Sequence, residues 1–348
     1  MNEQDLRRVF DQVKLTPQRE GAMLERILQE KETKQAVRKR QPLPRLAAVT
    51  VAAAILLTTG VFAAVWAGLD GRLLDYFGAT PENEALLSPA AVVVDQKMTD
   101  QGATLHLRQL IADRYSAEVL LDFTAPKGTV LDGDFYKMKT TVLVTAADGT
   151  ELPPWTAMVG PVSPWRLLED DDGADNKISL LMRIDFPFPE RDGYCMGADL
   201  TLEFDGLYSD TVCKDCLVPG HWEFQVTLPE TDPGRYMKLE APIEIEGNQA
   251  TLTSVYLSPI SLVWEWGELK EVMKNTTFQY RQDDEWGELV SILMADGETV
   301  PPGELIARAS TQGGGQDYRF RLGKVIDPTQ VTAVQLFGQT FFLEPTEE

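Results

Sequence analysis

The feature that most restricts this chain is an uncharged run of 24 residues, Leu46 to Leu69, reading LAAVTVAAAILLTTGVFAAVWAGL. As a helix rising about 1.5 Å per residue it spans about 36 Å, against a bilayer hydrocarbon core of about 30 Å. Thr50, Thr58 and Thr59 can return their hydroxyls to helix carbonyls, and Trp66 falls near one end, where an indole suits the interface. Arg38, Lys39, Arg40 and Arg45 stand just before the run, which by the positive-inside rule keeps the N-terminus in the cytoplasm. A cleaved signal peptide is the rival reading, because Ala63, Ala64 and Ala67 suit a peptidase; the 45 residues before the run are long for an n-region. A buried globular helix is the other rival. The run predicts a single-pass cell-membrane protein: residues 1–45 cytoplasmic, 46–69 a transmembrane helix, and the remainder extracytoplasmic.

Charge follows the same division. Eleven Lys/Arg against seven Asp/Glu give residues 1–45 a charge of +4, so of the net −22 the rest of the chain carries −26. A region that acidic is a poor binder of nucleic acid or anionic lipid. Three cysteines and two histidines are too few for a disulfide-stapled scaffold.

Within residues 1–45, Leu6, Val9, Phe10 and Val13 recur at helical spacing, and so do Met23, Leu24, Ile27 and Leu28. Thr16-Pro17 reads as an N-cap followed by proline in the first turn, and Pro42 and Pro44 end the second helix. So few apolar side chains bury little surface by themselves. Two readings follow: a helical spacer for the membrane anchor, or helices that complete their core against a cytoplasmic partner through Leu6, Val9, Phe10, Met23, Leu24 and Ile27.

Residues 70–87 predict a short juxtamembrane helix, with Leu73, Leu74, Tyr76 and Phe77 on one face. From about Ser88 onward the pattern becomes short alternating strands separated by turn residues such as Asp148-Gly149, Asp205-Gly206 and Asp296-Gly297. The pattern also repeats. Gln101-Gly-Ala-Thr-Leu105 recurs as Asn248-Gln-Ala-Thr-Leu252 at an offset of 147, and the stretch from Thr141 to Asp148-Gly149 recurs from Val290 to Asp296-Gly297 at an offset of 148. The predicted fold is mostly β, with two tandem immunoglobulin-like β-sandwich domains, 88–230 and 233–348, joined near Glu230-Thr-Asp-Pro-Gly234.

Motifs that carry chemistry are sparse. Cys213-Lys-Asp-Cys216 lacks the strand and helix context of a redox motif, and zinc there would need Cys195 and His221 as well. A disulfide suits an extracytoplasmic compartment better. If Asp205-Gly206 is a two-residue hairpin, the register sets Cys195 opposite Cys216 and leaves Cys213 free. Glu169-Asp-Asp-Asp172 with Asp175 could hold calcium or be a solvated loop, and it misses the usual calcium-loop spacing. Trp155, Trp165, Trp264 and Trp266 could form a sugar platform or pack inside strands. His106 and His221 have no nucleophile context, and Gly313-Gly-Gly315 reads as a turn. With no phosphate loop, nucleophile elbow or dinucleotide fingerprint, the reading is a non-enzyme without a cofactor.

Three stretches carry a resemblance: Gly60-Val-Phe-Ala-Ala64 continuing into Leu69-Asp-Gly-Arg-Leu-Leu-Asp-Tyr-Phe-Gly78, then Leu120 to Gly128, and Thr251 to Pro259. Together they resemble a family of Gram-positive bacterial single-pass membrane proteins with an extracytoplasmic domain of unknown function, often followed by an immunoglobulin-like domain. Members are commonly encoded beside extracytoplasmic-function sigma factors and regarded as candidate anti-sigma factors. The resemblance implies a sigma factor as the partner of residues 1–45. Many anti-sigma factors use a zinc-binding H-x-x-x-C-x-x-C helix; residues 1–45 contain neither His nor Cys, so the implied contact is zinc-free. A surface binding or adhesion protein without cytoplasmic signalling is the alternative.

Overall fold

Extended strands make up most of the described chain, and they build four antiparallel sheets. The structure, a computed structural model, describes residues 68–80, 82–151, 155–156, 165–168, 176–186, 195–267, 283–310 and 316–343. The predicted cytoplasmic helices lie outside them, as does the uncharged run except for Gly68 and Leu69. Among the described residues no helix is long and apolar enough to cross a membrane.

The first module holds β1 (Ala91–Asp100), β2 (Ala103–Ala112), β3 (Ser116–Thr124), β4 (Lys137–Thr145), β5 (Trp155–Thr156), β6 (Trp165–Leu168), β7 (Lys177–Asp185), β8 (Asp199–Tyr208) and β9 (Cys216–Thr227). One sheet runs β1-β2-β3-β7-β6 and its partner runs β5-β4-β8-β9. The second module holds β10 (Arg235–Ile245), β11 (Asn248–Leu257), β12 (Ser261–Gly267), β13 (Val290–Met294), β14 (Thr299–Val300), β15 (Glu304–Ser310), β16 (Gln316–Arg321), β17 (Val331–Leu336) and β18 (Gln339–Phe342). Its sheets run β10-β11-β12-β16-β15 and β14-β13-β17-β18. Strand for strand the two orders coincide.

The repeat extends to irregular features. Two-residue hairpins at Gln101-Gly102 and Glu246-Gly247 have positive φ at both central residues, the geometry that matches strand twist. Asp95 and Glu240, both at φ 49°, sit at the register shifts of β1 and β10. These pairs stand 145 residues apart, not the 147 of the Ala-Thr-Leu match. That match slips by two residues, which preserves the side-chain face and therefore the apolar pattern. The Asp148-Gly149 and Asp296-Gly297 turns correspond at 148, each glycine donating its N–H back to the residue three before it, Ala146 or Met294.

In each module the paired sheets share one core. Leu105, Leu121, Phe123, Leu202, Phe204 and Trp222 meet in the first, and Leu252, Trp264, Trp266, Trp286, Tyr318 and Phe320 in the second. Trp264 stacks on Phe320 at 4.9 Å and on Tyr318 at 5.7 Å. Trp264 and Trp266 are therefore core side chains and not an exposed sugar platform; Trp165 is buried too.

Two expectations are corrected. Asp205-Gly206 is not a hairpin: it lies inside β8, where Gly206 takes φ +58° at a bulge, and the turn to β9 comes at 209–215. Asp205 consequently pairs with His221 and Tyr208 with Cys216, so Cys195 is not opposite Cys216. All three thiols are free. The stretch 70–87 forms two short helices, α1 (Gly71–Tyr76) and α2 (Glu84–Leu87), where one was expected.

Trp264→Ala should lower the unfolding free energy by about 4 kcal/mol, the cost of truncating a buried large aromatic. Val212→Ala, at a 77% exposed site, should change it by less than about 0.5 kcal/mol. Urea titration of both variants checks the difference.

Candidate functional site: the junction of two modules and a strap

The densest buried polar chemistry lies where the modules meet. Asp113 closes the β2–β3 turn. Its Oδ1 accepts from the backbone N–H groups of Tyr115 and Ser116, both at 2.9 Å, and from the Ser116 hydroxyl at 3.5 Å. Its Oδ2 accepts from the hydroxyls of Ser258 at 2.8 Å and Ser261 at 2.5 Å, on the equivalent β11–β12 turn. Each turn has the same backbone bond, Asp113 N–H to Ser116 O and Ser258 N–H to Ser261 O. The two corners of the repeat thus bond to one another. Asp113 is fully buried, which pushes its carboxyl pKa up, while its hydrogen-bond donors pull it back.

Packing across the junction is reciprocal. Tyr115 leaves its own corner to lie on Tyr256 and Val263 of the second module. Ile260, its counterpart 145 residues on, joins Ile111, Leu120 and Leu181 on the first. Arg319 on β16 donates to the carbonyls of Tyr115 and Phe186, and its counterpart Arg183 on β7 donates to that of Ile306. Each arginine is also paired on its own strand, Arg183 with Asp185 and Arg319 with Asp317. Tyr115 Oη donates to Glu265, which also accepts from Ser254 Oγ. The connection at Asp232 is pinned by Arg114 at 2.9 Å and by Tyr256 Oη at 2.6 Å.

The chain just after the uncharged run forms a strap over this junction. Asp70 caps α1, accepting from Arg72 N–H, and Arg72 reaches on to Asp122 at 2.6 Å. Gln109 donates to Gly68 O and accepts from Asp70 N–H. Leu73, Phe77 and Leu87 bury their side chains against Ile111, Leu120, Leu181, Ile260 and Val325, residues from both modules. Gly78 sits at φ +60°, where an added Cβ would stand 2.9 Å from Gly323 O, so only glycine permits this approach.

Tyr76 closes the strap. Arg321 donates to Tyr76 O at 3.0 Å, and its guanidinium lies 4.4 Å from the Tyr76 ring centroid. Arg166 of the first module lies 5.4 Å from the same ring. Both arginines bind Glu304, at 2.9 and 3.0 Å. A single ring thus joins a strap residue to cations from both modules.

Other candidates fall elsewhere. Leu6, Val9, Phe10, Met23, Leu24, Ile27 and the acidic loop 169–175 lie outside the described residues. Cys195 lies at the junction, with its thiol donating to Arg114 O; burial pushes its pKa up to about 12, which makes it an inert packing group. Cys216 is on the surface. His221 bonds Asp205 at 2.7 Å, which raises its pKa. His106 bonds Asp95 at 2.6 Å, but burial lowers its pKa. No group of three or more His, Cys, Asp or Glu among the described residues could hold a metal ion.

Sequence reading passed over Asp113, Arg183, Arg319 and Glu118. The available signal was a charge inside an apolar strand, as in Leu180-Leu-Met-Arg183-Ile and Ala117-Glu118-Val-Leu. A charged side chain is seldom buried in such a strand, so its burial marks a site where other elements pack over it.

No family model matches the chain, and no curated protein matches it. Among solved structures, it is similar to one described as the crystal structure of the conserved domain protein from Bacillus anthracis. That similarity has a TM-score of 0.44 and 13% identity, covering 70% of this chain and 75% of that one.

Asp113→Ala strands two backbone donors and three hydroxyls, and should cost about 3 kcal/mol of stability. Asp113→Asn, which keeps an acceptor oxygen, should cost less. Chemical denaturation of both variants measures the gap.

Proposed function

We propose that this chain is a membrane-anchored regulator, with residues 46–69 spanning the membrane and the two modules, of immunoglobulin-like type, sensing an extracytoplasmic ligand or envelope state. Residues 1–45 hold a sigma factor through a zinc-free surface of Leu6, Val9, Phe10, Met23, Leu24 and Ile27. The protein is not an enzyme and uses no cofactor. The resemblance of the membrane run and the residues after it supports this family of anti-sigma factors.

The observation that carries the reading is the strap. It begins at the end of the uncharged run and is fastened to both modules, by Arg72 and Gln109 at one end and by Tyr76 at the other. A tether that served only for display could be a loose linker. A segment bonded to both modules instead shifts when either moves, and so delivers a change in the junction to the membrane boundary. Differential contacts of this kind are what coupling between two distant sites requires.

Leu24→Glu in the full-length protein, expressed in its source organism, tests the cytoplasmic half. A charge on the apolar helix face should weaken sigma-factor binding by about 30-fold or more, the effect of losing a binding hot spot worth about 2 kcal/mol. Co-purification of the sigma factor should fall and transcription from its promoters should rise. Unchanged co-purification and transcription would overturn the reading.

A further inference from the structure

Glu118 lies on β3, on the face that receives the strap, and is only 4% exposed. In register it stands between Ile111 on β2 and Arg183 on β7. The charged groups around it come from every neighbouring element: Arg183 and Asp185 from β7, Arg166 from β6, Arg321 from β16, Glu304 from β15 and the Tyr76 hydroxyl from the strap. Each arginine has another carboxylate partner. Arg183 is bound by Asp185, and Arg166 and Arg321 are bound by Glu304. Glu118 accepts no hydrogen bond among the described residues, so its charge is compensated only at a distance.

We propose that Glu118 is a proton-operated latch: protonated, it lets the strap lie closed over both modules, and ionised, it loosens the strap. Burial outweighs the three arginines and pushes the carboxyl up to about 7, from an ordinary glutamate value of 4.5. The closed strap therefore binds this proton more tightly than an opened strap, in which Glu118 meets water. Closure is favoured at low pH; it weakens as pH rises from 4.5 to about 7 and is flat above that. The latch is independent of the sigma-factor reading, because it needs no cytoplasmic partner.

The test is hydrogen exchange on the full-length protein in detergent micelles, read at the hydrogen-bonded amides of Leu73, Leu74 and Phe77 and corrected for intrinsic exchange rates. Opening of the strap should increase about twentyfold between pH 5.5 and 7.5 and less than about twofold more by pH 8.5. Glu118→Gln, which mimics the protonated side chain, should stay protected throughout, and Glu118→Met should do the same. A flat profile in the unaltered protein overturns the proposal whether or not the variants fold. So does a pH dependence that persists in Glu118→Gln, which would place the titration elsewhere, for example at His106.

Discussion

A carboxylate removed from water organises the body of this protein. Asp113 accepts five hydrogen bonds, three from its own turn and two from the matching turn of the second module. A buried charge is tolerated only when its lone pairs are met, and losing any donor leaves the others around an uncompensated group. The two turns are thereby held in one relative position. Because Asp113 and Ser258 occupy equivalent places in the repeat, the contact has the self-complementary character of a two-fold interface built within one chain. Tyr115 and Ile260, and Arg183 and Arg319, continue that reciprocity outward.

The reciprocity breaks at the strap. In the first module the outer face of the β1-β2-β3-β7-β6 sheet is covered by α1 and α2. In the second, the corresponding face takes Tyr115, with Glu265 and Ser254 beneath it. Val263 stands where the first module has Glu118. One repeat thus buries an aliphatic group at the position where the other buries an ionisable one. The ring of Tyr76 lies against Arg166 and Arg321, two of the arginines whose charge reaches that ionisable group.

Strand alternation and the Asp-Gly turns at 148–149 and 296–297 were legible because their causes are local. Side-chain period two follows from backbone pleat, and positive φ follows from glycine. Asp205-Gly206 carried the same local signal with a different outcome. Gly206 does adopt positive φ, but β9 pairs along the whole of β8 and converts the glycine into a bulge. The Ala-Thr-Leu match misled by two residues for a related reason, since a shift of two leaves every side chain on its own face. The junction was hardly legible at all. Asp113 meets Ser258 across 145 residues, and Tyr76 meets Arg321 across 245.

What the sequence determined by itself was the class of each segment. An uncharged run of membrane length, an alternating β pattern and an internal repeat all arise from interactions between near neighbours in the chain. The tertiary structure alone decided which repeated elements touch, which apolar face the strap covers, and which charges are buried. Those outcomes depend on groups brought together from opposite ends of the body. A carboxylate such as Glu118 looks like any other in a strand until folding sets it beside Arg183 on the neighbouring strand and buries it.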